Sequence, residues 1–441
     1  MKTPICAFLQ KYASDDNLRL HMPGHKGIGE VERFDLTEIE GADSLYEASG
    51  IIKESEQIAS SLFGSYTLYS TEGSSLAIRA MLYLAMLSGK SGTRPVVLAG
   101  RNAHKAFASA AALIGFEVDW ISARESSYLS ARLDREDIIR YFESVSEPPT
   151  AVYLTSPDYL GAISDISAIA EECKSRGVLL LVDNAHGAYL KFLSPSRHPI
   201  DLGADICCDS AHKTLPALTG CGYIHISKSL PSFFKERCKD SMMLFASTSP
   251  SYLLLDSLDR LNPLLSDGFV SKMQIFVDKI ELLKQELRRF GYLLFGDEPM
   301  KLTISAKEYG YLGTELADII LKDQIYSEFA DPDYLVLMPT PENSDEDLKR
   351  LLSSLKKIPK KQRIDSLPPT LTLPKTATSI RDAVMADTER LPISKCIGRI
   401  AATVRIGCPP AVPIILPGEI IDENTIKCFE YYGVTEYDVL K

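Results

Sequence analysis

Between residues 66 and 208, short apolar runs alternate with stretches of helical period. That alternation restricts the chain to an α/β architecture, a mostly parallel sheet covered by helices. Strands are expected at 66–69, 95–99, 116–121, 151–155, 178–183 and 205–208. Helices are expected at 53–62, 76–87, just after His104, 134–142 and 165–175. Ligands in such sheets sit at the carboxyl ends of the strands. The polar residues that follow the runs are Ser74, His104, Ser156, Asp183 and Lys213. The run Val178-Leu179-Leu180-Leu181-Val182-Asp183 has the form of a buried parallel strand that delivers one carboxylate at its end.

Lys213 lies in Asp209-Ser210-Ala211-His212-Lys213-Thr214, directly after the 205–208 strand. A lysine in a pocket is costly unless it is neutralised or bonded, and one routine use of it is as a Schiff-base amine. Pyridoxal phosphate needs such an amine for its aldehyde. It also needs an aspartate that keeps its pyridine nitrogen protonated, so that the ring accepts electrons. Asp183 and Lys213 make that pair. Taken alone, the lysine motif is more often that of a solvated surface lysine. Ser70-Thr71-Glu72-Gly73-Ser74-Ser75 opens the 76–87 helix and reads as a phosphate cradle, or as a helix cap. His104 is placed to stack on a planar cofactor, with an N-cap or core role as the alternative. His186, in Asp183-Asn184-Ala185-His186-Gly187, supports a cofactor or bonds the backbone. Ser247-Thr248-Ser249-Pro250 opens another apolar helix and offers a second anion site.

The chain has 441 residues, 45% hydrophobic and 24% charged, enough for a large cored domain and a smaller one. A net charge of -11 argues against non-specific nucleic-acid binding. The nine cysteines include no C-x-x-C pair, so no zinc ribbon is indicated and no metal site is expected. No leader pattern and no long apolar stretch occur, which leads to the expectation of a cytoplasmic protein without a membrane partner. Residues 1–50, rich in His, Gly, Pro and acids, read as an ordered arm without its own core. The expected division is this arm, a large domain at 51–265, and a small domain at 266–441. Within the last, a helix at 271–290 comes early and a proline-rich linker lies near 359–374.

These motifs together resemble the Orn/Lys/Arg decarboxylase family in its shorter form, without an N-terminal receiver-like domain. The resemblance rests on His21-Met22-Pro23-Gly24-His25-Lys26-Gly27, Gly73-Ser74-Ser75, Arg101-Asn102-Ala103-His104-Lys105 and Thr155-Ser156-Pro157. It continues through Val182-Asp183-Asn184-Ala185-His186-Gly187, the Ser210 to Thr219 stretch, Ser247-Thr248-Ser249-Pro250 and the proline-rich 409–419 segment. It implies a large domain of the fold-type I, PLP-dependent transferase-like class with a mostly parallel seven-stranded sheet. A smaller α/β C-terminal domain follows it. It implies that Lys213 forms the Schiff base with pyridoxal phosphate, that Asp183 pairs with the pyridinium, and that His104 and Ala185 face the two sides of the ring. Gly73, Ser74, Ser75, Ser156, Ser210, His212 and Ser249 are implied as further cofactor contacts, with His186 in support.

The implied reaction is α-decarboxylation of lysine, arginine or ornithine in a homodimer whose active sites are composite. The His21 to Lys26 arm and the 247–252 loop would reach the neighbouring subunit. Candidate partners for the substrate's charges are Glu419, Asp43 and Arg405. The chain departs from the family pattern at Asn184 and Thr403, where an acid is usual, at Cys408, where an aromatic is usual, and at Ala411, where glycine is usual. Most of these positions lie where the tail would meet the substrate side chain. An aminotransferase or lyase on the same fold, and a PLP-binding protein without catalysis, are the alternatives.

Overall fold

The computed structural model describes residues 1–89, 95–121, 128–370, 372–404 and 410–441. The chain begins with α1 (Pro4–Ser14) and α2 (Ile51–Phe63). It then runs through β1 (Tyr66–Ser70), α3 (Gly73–Leu87), β2 (Val96–Gly100), α4 (Lys105–Ile114), β3 (Glu117–Ile121), α5 (Arg135–Ser144) and β4 (Ala151–Thr155). Next come α6 (Ile166–Ser175), β5 (Leu179–Asp183), β6 (Ile206–Asp209), α7 (Ala211–Thr214), β7 (Gly222–Ile226), α8 (Ser232–Met243), α9 (Tyr252–Ser266) and α10 (Phe269–Arg289). The remainder holds β8 (Leu294–Phe295), β9 (Leu302–Ser305), α11 (Gly313–Lys322), β10 (Phe329–Ala330), β11 (Tyr334–Leu337), α12 (Asp345–Lys356), α13 (Ile380–Met385), β12 (Thr388–Pro392), α14 (Glu423–Tyr431) and β13 (Glu436–Leu440). Two compact units result: Met1–Lys90 with Ile166–Met273, and Ser91–Asp165 with Gln274–Lys441.

The first seven strands form one sheet in the order β1-β7-β6-β5-β4-β2-β3. In the first unit β5 and β6 are parallel, with Leu181 opposite Ile206 and Asp183 opposite Cys208. Strand β7 runs antiparallel to both β6 and β1. In the second unit β2 is parallel to β3 and to β4. The mostly parallel, helix-covered sheet expected from the sequence is therefore present. Every residue of β6 and β7 is buried, as strands covered on both faces require.

The start of the first unit corrects one expectation. Residues 4–14 are not a coreless arm but a helix with Pro4 at its first position, where a missing N–H is harmless. Ile5 and Leu9, one turn apart, are buried, and α1 packs on α2 and α9. The Cys6 N–H donates to Asp259 of α9 at 2.9 Å. Residues 16–50 carry only a short 3-10 turn, Glu32–Phe34. Three buried positions in eleven residues, Ile5, Cys6 and Leu9, are too brief a pattern to stand out among the polar residues that follow.

The second unit contains an antiparallel sheet in the order β10-β11-β9-β8 and the β12-β13 pair. Its apolar cluster joins Val336 of β11, Tyr437 and Val439 of β13, Phe429 of α14, and Val412 and Ile415 of the proline-rich tail. Ala401 makes an isolated bridge to Val439. Ala411 has φ +58, a left-handed conformation that explains why glycine is usual there. Its carbonyl accepts from the Lys105 N–H at 2.8 Å. No helix among the described residues is long and apolar enough to cross a membrane.

Candidate active site

In the first unit, two parallel strand ends set the chemistry. Strand β5 stops at Asp183, and β6 stops at Asp209, after which the chain turns directly into α7 with His212 and Lys213. Asp183 is buried. Its Oδ1 accepts from the Ala185 N–H at 3.1 Å and lies 3.7 Å from Cys208 Sγ. Burial, then the charge of Asp183, pushes the Cys208 thiol well up, so the sulfur stays protonated and donates. Lys213 Nζ lies 3.0 Å from His186 Nε2, in the loop that follows Asp183. One side chain of each strand end thus reaches the other's loop.

Helix α3 begins at Gly73, whose φ of +63 needs glycine, and no side chain caps its N-terminus. The Gly73 N–H donates to the Gly220 carbonyl at 2.7 Å, while the N–H groups of the turn after it and the helix dipole favour an anion there. A Cβ added at Gly73 would meet only His212 Cε1, at 3.7 Å, so the approach to this helix start is open. Ser210 Oγ donates to Ser74 Oγ at 2.9 Å, and Ser75 follows half-buried. His212 Nδ1 lies 2.9 Å from the Cys221 carbonyl, which turns the ring beside the helix start. A Cβ at Gly222 would come within 2.8 Å of the Gly73 carbonyl carbon, which explains the glycine in β7. The 247–250 loop lies nearby, its Ser247 N–H donating to Glu72 Oε1 at 2.7 Å, while Ser249 is exposed.

Other expected residues are placed differently. Asp43 accepts from the N–H groups of Ser44, Ser49, Gly50 and Ile52, between 2.8 and 3.0 Å, and so finishes the N-terminus of α2. Burial pushes its carboxyl up, but these hydrogen bonds outweigh that and hold it below the usual range. In the second unit, Glu419 is buried and ion-paired to Arg101 Nη2 at 2.9 Å, and it also accepts from the Leu416 N–H at 2.7 Å. Both carboxylates expected to meet a substrate are therefore engaged by the chain itself. His104 caps α4, its Nδ1 accepting from the Ala106 N–H at 3.1 Å, and Ser156 Oγ accepts from the Ser164 N–H at 3.1 Å. Thr403 Oγ1 lies 3.4 Å from Asp438. Arg405 and Cys408 lie outside the described residues.

Pyridoxal phosphate fits what the first unit offers: an amine held by a histidine, a buried carboxylate on the neighbouring strand end, and an open, uncapped helix start lined by hydroxyls. Fold and constellation define a PLP-dependent enzyme of fold type I. The model of the Orn/Lys/Arg decarboxylase major domain matches residues 3–293, and that of the family's C-terminal domain matches residues 360–437. The chain belongs to the Orn/Lys/Arg decarboxylase family and is a pyridoxal-phosphate-dependent amino-acid decarboxylase.

It is similar to a Bacillus subtilis protein named arginine decarboxylase, 30% identical over 97% of this chain and 92% of that one. An arginine decarboxylase of Halalkalibacterium halodurans is 28% identical over 96% of this chain and 92% of its own. Among solved structures, the E. coli constitutive lysine decarboxylase matches with TM-score 0.78 at 17% identity, over 100% of this chain and 82% of that chain. The Francisella novicida lysine decarboxylase matches with TM-score 0.80 at 18% identity, over 100% of this chain and 81% of that chain.

Proposed function

We propose that the chain removes the α-carboxyl group of a basic amino acid, lysine, arginine or ornithine, as CO2 and leaves the amine. The observation that carries the mechanism is the 3.0 Å contact between Lys213 Nζ and His186 Nε2 beside the strand end of Asp183. The names of the arginine decarboxylase relatives support the substrate class. In this reading Lys213 holds the cofactor's aldehyde and Asp183 keeps a proton on the pyridine nitrogen. Ala185, two residues on from Asp183, would pack against the ring. Ser74, Ser75, Ser210 and His212, with the N–H groups of the α3 turn that follows Gly73, would hold the phosphate, assisted by Ser249. When bound, pyridoxal phosphate supplies the sink for the electron pair left on Cα as CO2 departs.

The chain's own groups supply orientation and proton handling. His186 accepts a proton from Lys213 Nζ, which leaves the amine neutral and nucleophilic. The same pair would hold the proton that Cα gains in place of the departing carboxylate. Keeping the α-carboxylate away from water favours its loss as CO2. A panel of amino acids tests the reaction and the substrate together. CO2 and an amine are expected, with kcat/KM for lysine, arginine or ornithine about a hundredfold or more above that for neutral amino acids. A keto acid product, or equal turnover of a neutral amino acid, would sink the proposal.

We also infer a homodimer with composite sites. Leu18, Leu20, Met22 and Ile28 are 83, 83, 67 and 82% exposed in one chain, an apolar density that a monomer surface rarely carries. A two-fold interface would cover the segment twice. Light scattering should give the mass of at least two chains, and the pair Leu18→Asp with Ile28→Asp should shift it toward one chain and lower turnover. A monomer with full activity rules this out.

A further inference from the structure

On the opposite face of the sheet from Asp183 lies a buried polar cluster that decarboxylation, as described above, does not use. Asp209, His198 and His225 are all 0% exposed. Asp209 Oδ2 lies 3.1 Å from His198 Nε2 and 3.0 Å from His225 Nε2, while its Oδ1 accepts from Asn184 Nδ2 at 2.6 Å. Side chains alternate along a strand. With Asp183 opposite Cys208, and His225 of β7 opposite Cys207, the cluster occupies the face that Asp183 does not. Thr67 of β1 extends it, its Oγ1 3.0 Å from His225 Nδ1.

Burying a carboxylate this completely costs several kcal/mol, which apolar side chains of similar volume would avoid, so packing alone does not account for the cluster. Burial pushes the Asp209 carboxyl up, but His198 and His225 beside it outweigh that and hold it below the ordinary range. Its position in the chain suggests the use. Asp209 is the last residue before Ser210, which starts the turn to Lys213, and Asn184 is the residue after Asp183. The Asn184 N–H also bonds the Cys208 carbonyl at 3.0 Å, one step beyond the end of the β5-β6 pairing.

We propose that Asp209 is a positioning residue: anchored by His198 and His225, it grips Asn184 and locks the strand ends that carry Asp183 and Lys213. The proposal rests on the reading that these two residues serve pyridoxal phosphate. It assigns Asn184, the departure from the family's usual acid, the amide half of a carboxylate-amide clamp whose carboxylate is at 209. Without the clamp, the two strand ends are free to shift by a fraction of an ångström, enough to misalign a preorganised site while leaving the fold intact.

The test compares the cofactor-loaded protein with Asp209→Asn, Asn184→Leu and the exchange Asp209→Asn with Asn184→Asp. For Asp209→Asn we expect kcat to fall about tenfold to a hundredfold with KM changed less than about threefold, the split of an interaction that acts on orientation. The pH midpoint of the visible band of the Lys213-bound cofactor should move down, because an anion behind it is lost. The exchange restores a carboxylate-amide pair in transposed order and should recover kcat and midpoint to within about threefold of the starting protein, since coupled residues are non-additive. Should Asp209→Asn not fold, Asn184→Leu decides, because it leaves Asp209 and both histidines in place: the same loss of kcat supports the clamp, and unchanged kcat overturns it.

Unmoved kcat and band in a folded Asp209→Asn protein overturn this proposal alone. Borohydride label on a lysine other than 213 in the unmutated protein overturns the cofactor assignment and the clamp with it. Stoichiometric zinc in the unmutated protein also overturns it, because His198, Cys207 and Asp209 bring ligand atoms within 4.8 Å of one another and Asp209 would then be a ligand.

Discussion

Replacing Lys213 by alanine or by arginine is expected to lower turnover by about a thousandfold or more, since covalent catalysis loses its nucleophile. Arginine is the sharper test. It keeps a cation beside His186 Nε2, but a guanidinium is never neutral at working pH and cannot take the role of an amine. Lys213 is only half-buried, on the four-residue α7, so neither change should cost much stability, and the lost activity will not trace to unfolding. Borohydride reduction of the loaded protein followed by peptide mapping should place the label on Lys213. Label on Lys26 or Lys105, or an arginine variant within tenfold of the starting rate, would defeat the assignment.

Most strands of the large sheet were readable because they are short apolar runs, whereas their order in the sheet was not. Leu179–Asp183 and Ala151–Thr155 carry apolar side chains on both faces, and the helix stretch 165–175 separates the two. Strand β7 was not read, since Gly222 begins it and His225 interrupts its apolar residues. Strands β12 and β13 escaped for another reason: in TERLP and EYDVL the charged Glu389, Arg390, Glu436 and Asp438 break up the apolar residues of a two-stranded pair. Such patterns read as loop until a partner strand is known.

The site divides in the same way. The placement of Lys213, Asp183 and the Gly73 to Ser75 turn at strand ends was legible because each ends or follows a strand-like run, where the fold class puts ligands. Asp43 and Glu419 were not, because a carboxylate in sequence looks the same whether it meets a substrate cation, four backbone N–H groups or Arg101. The contacts of Asp209 were illegible for a related reason. His198 and His225 are lone histidines in different elements, and only the pairing of β7 with β6 brings them to one oxygen. A histidine inside an otherwise apolar strand was the one available sign.

Asp183→Asn should leave the chain folded and lower kcat by about a hundredfold to ten-thousandfold, which corresponds to about 3 to 5 kcal/mol of lost electrostatic stabilisation. The amide has the shape of the carboxylate and can still accept from the Ala185 N–H, now 3.1 Å from Oδ1, so geometry is nearly preserved. What it lacks is charge. A protonated pyridine nitrogen facing an amide in a buried site has no counter-ion, and it loses its proton, and with it most of its capacity to draw electrons from Cα. In the cofactor-free protein the same substitution removes the cost of burying a charge, so the asparagine variant should melt at the same temperature or higher. Thermal unfolding with and without the cofactor, set beside kcat, separates the two effects: stability kept or raised while turnover collapses marks Asp183 as the counter-charge of the ring. A near-normal rate would remove it from that role, and a large fall in the cofactor-free melting temperature would mean that the fold itself, through Ala185 and Cys208, is what the carboxylate serves.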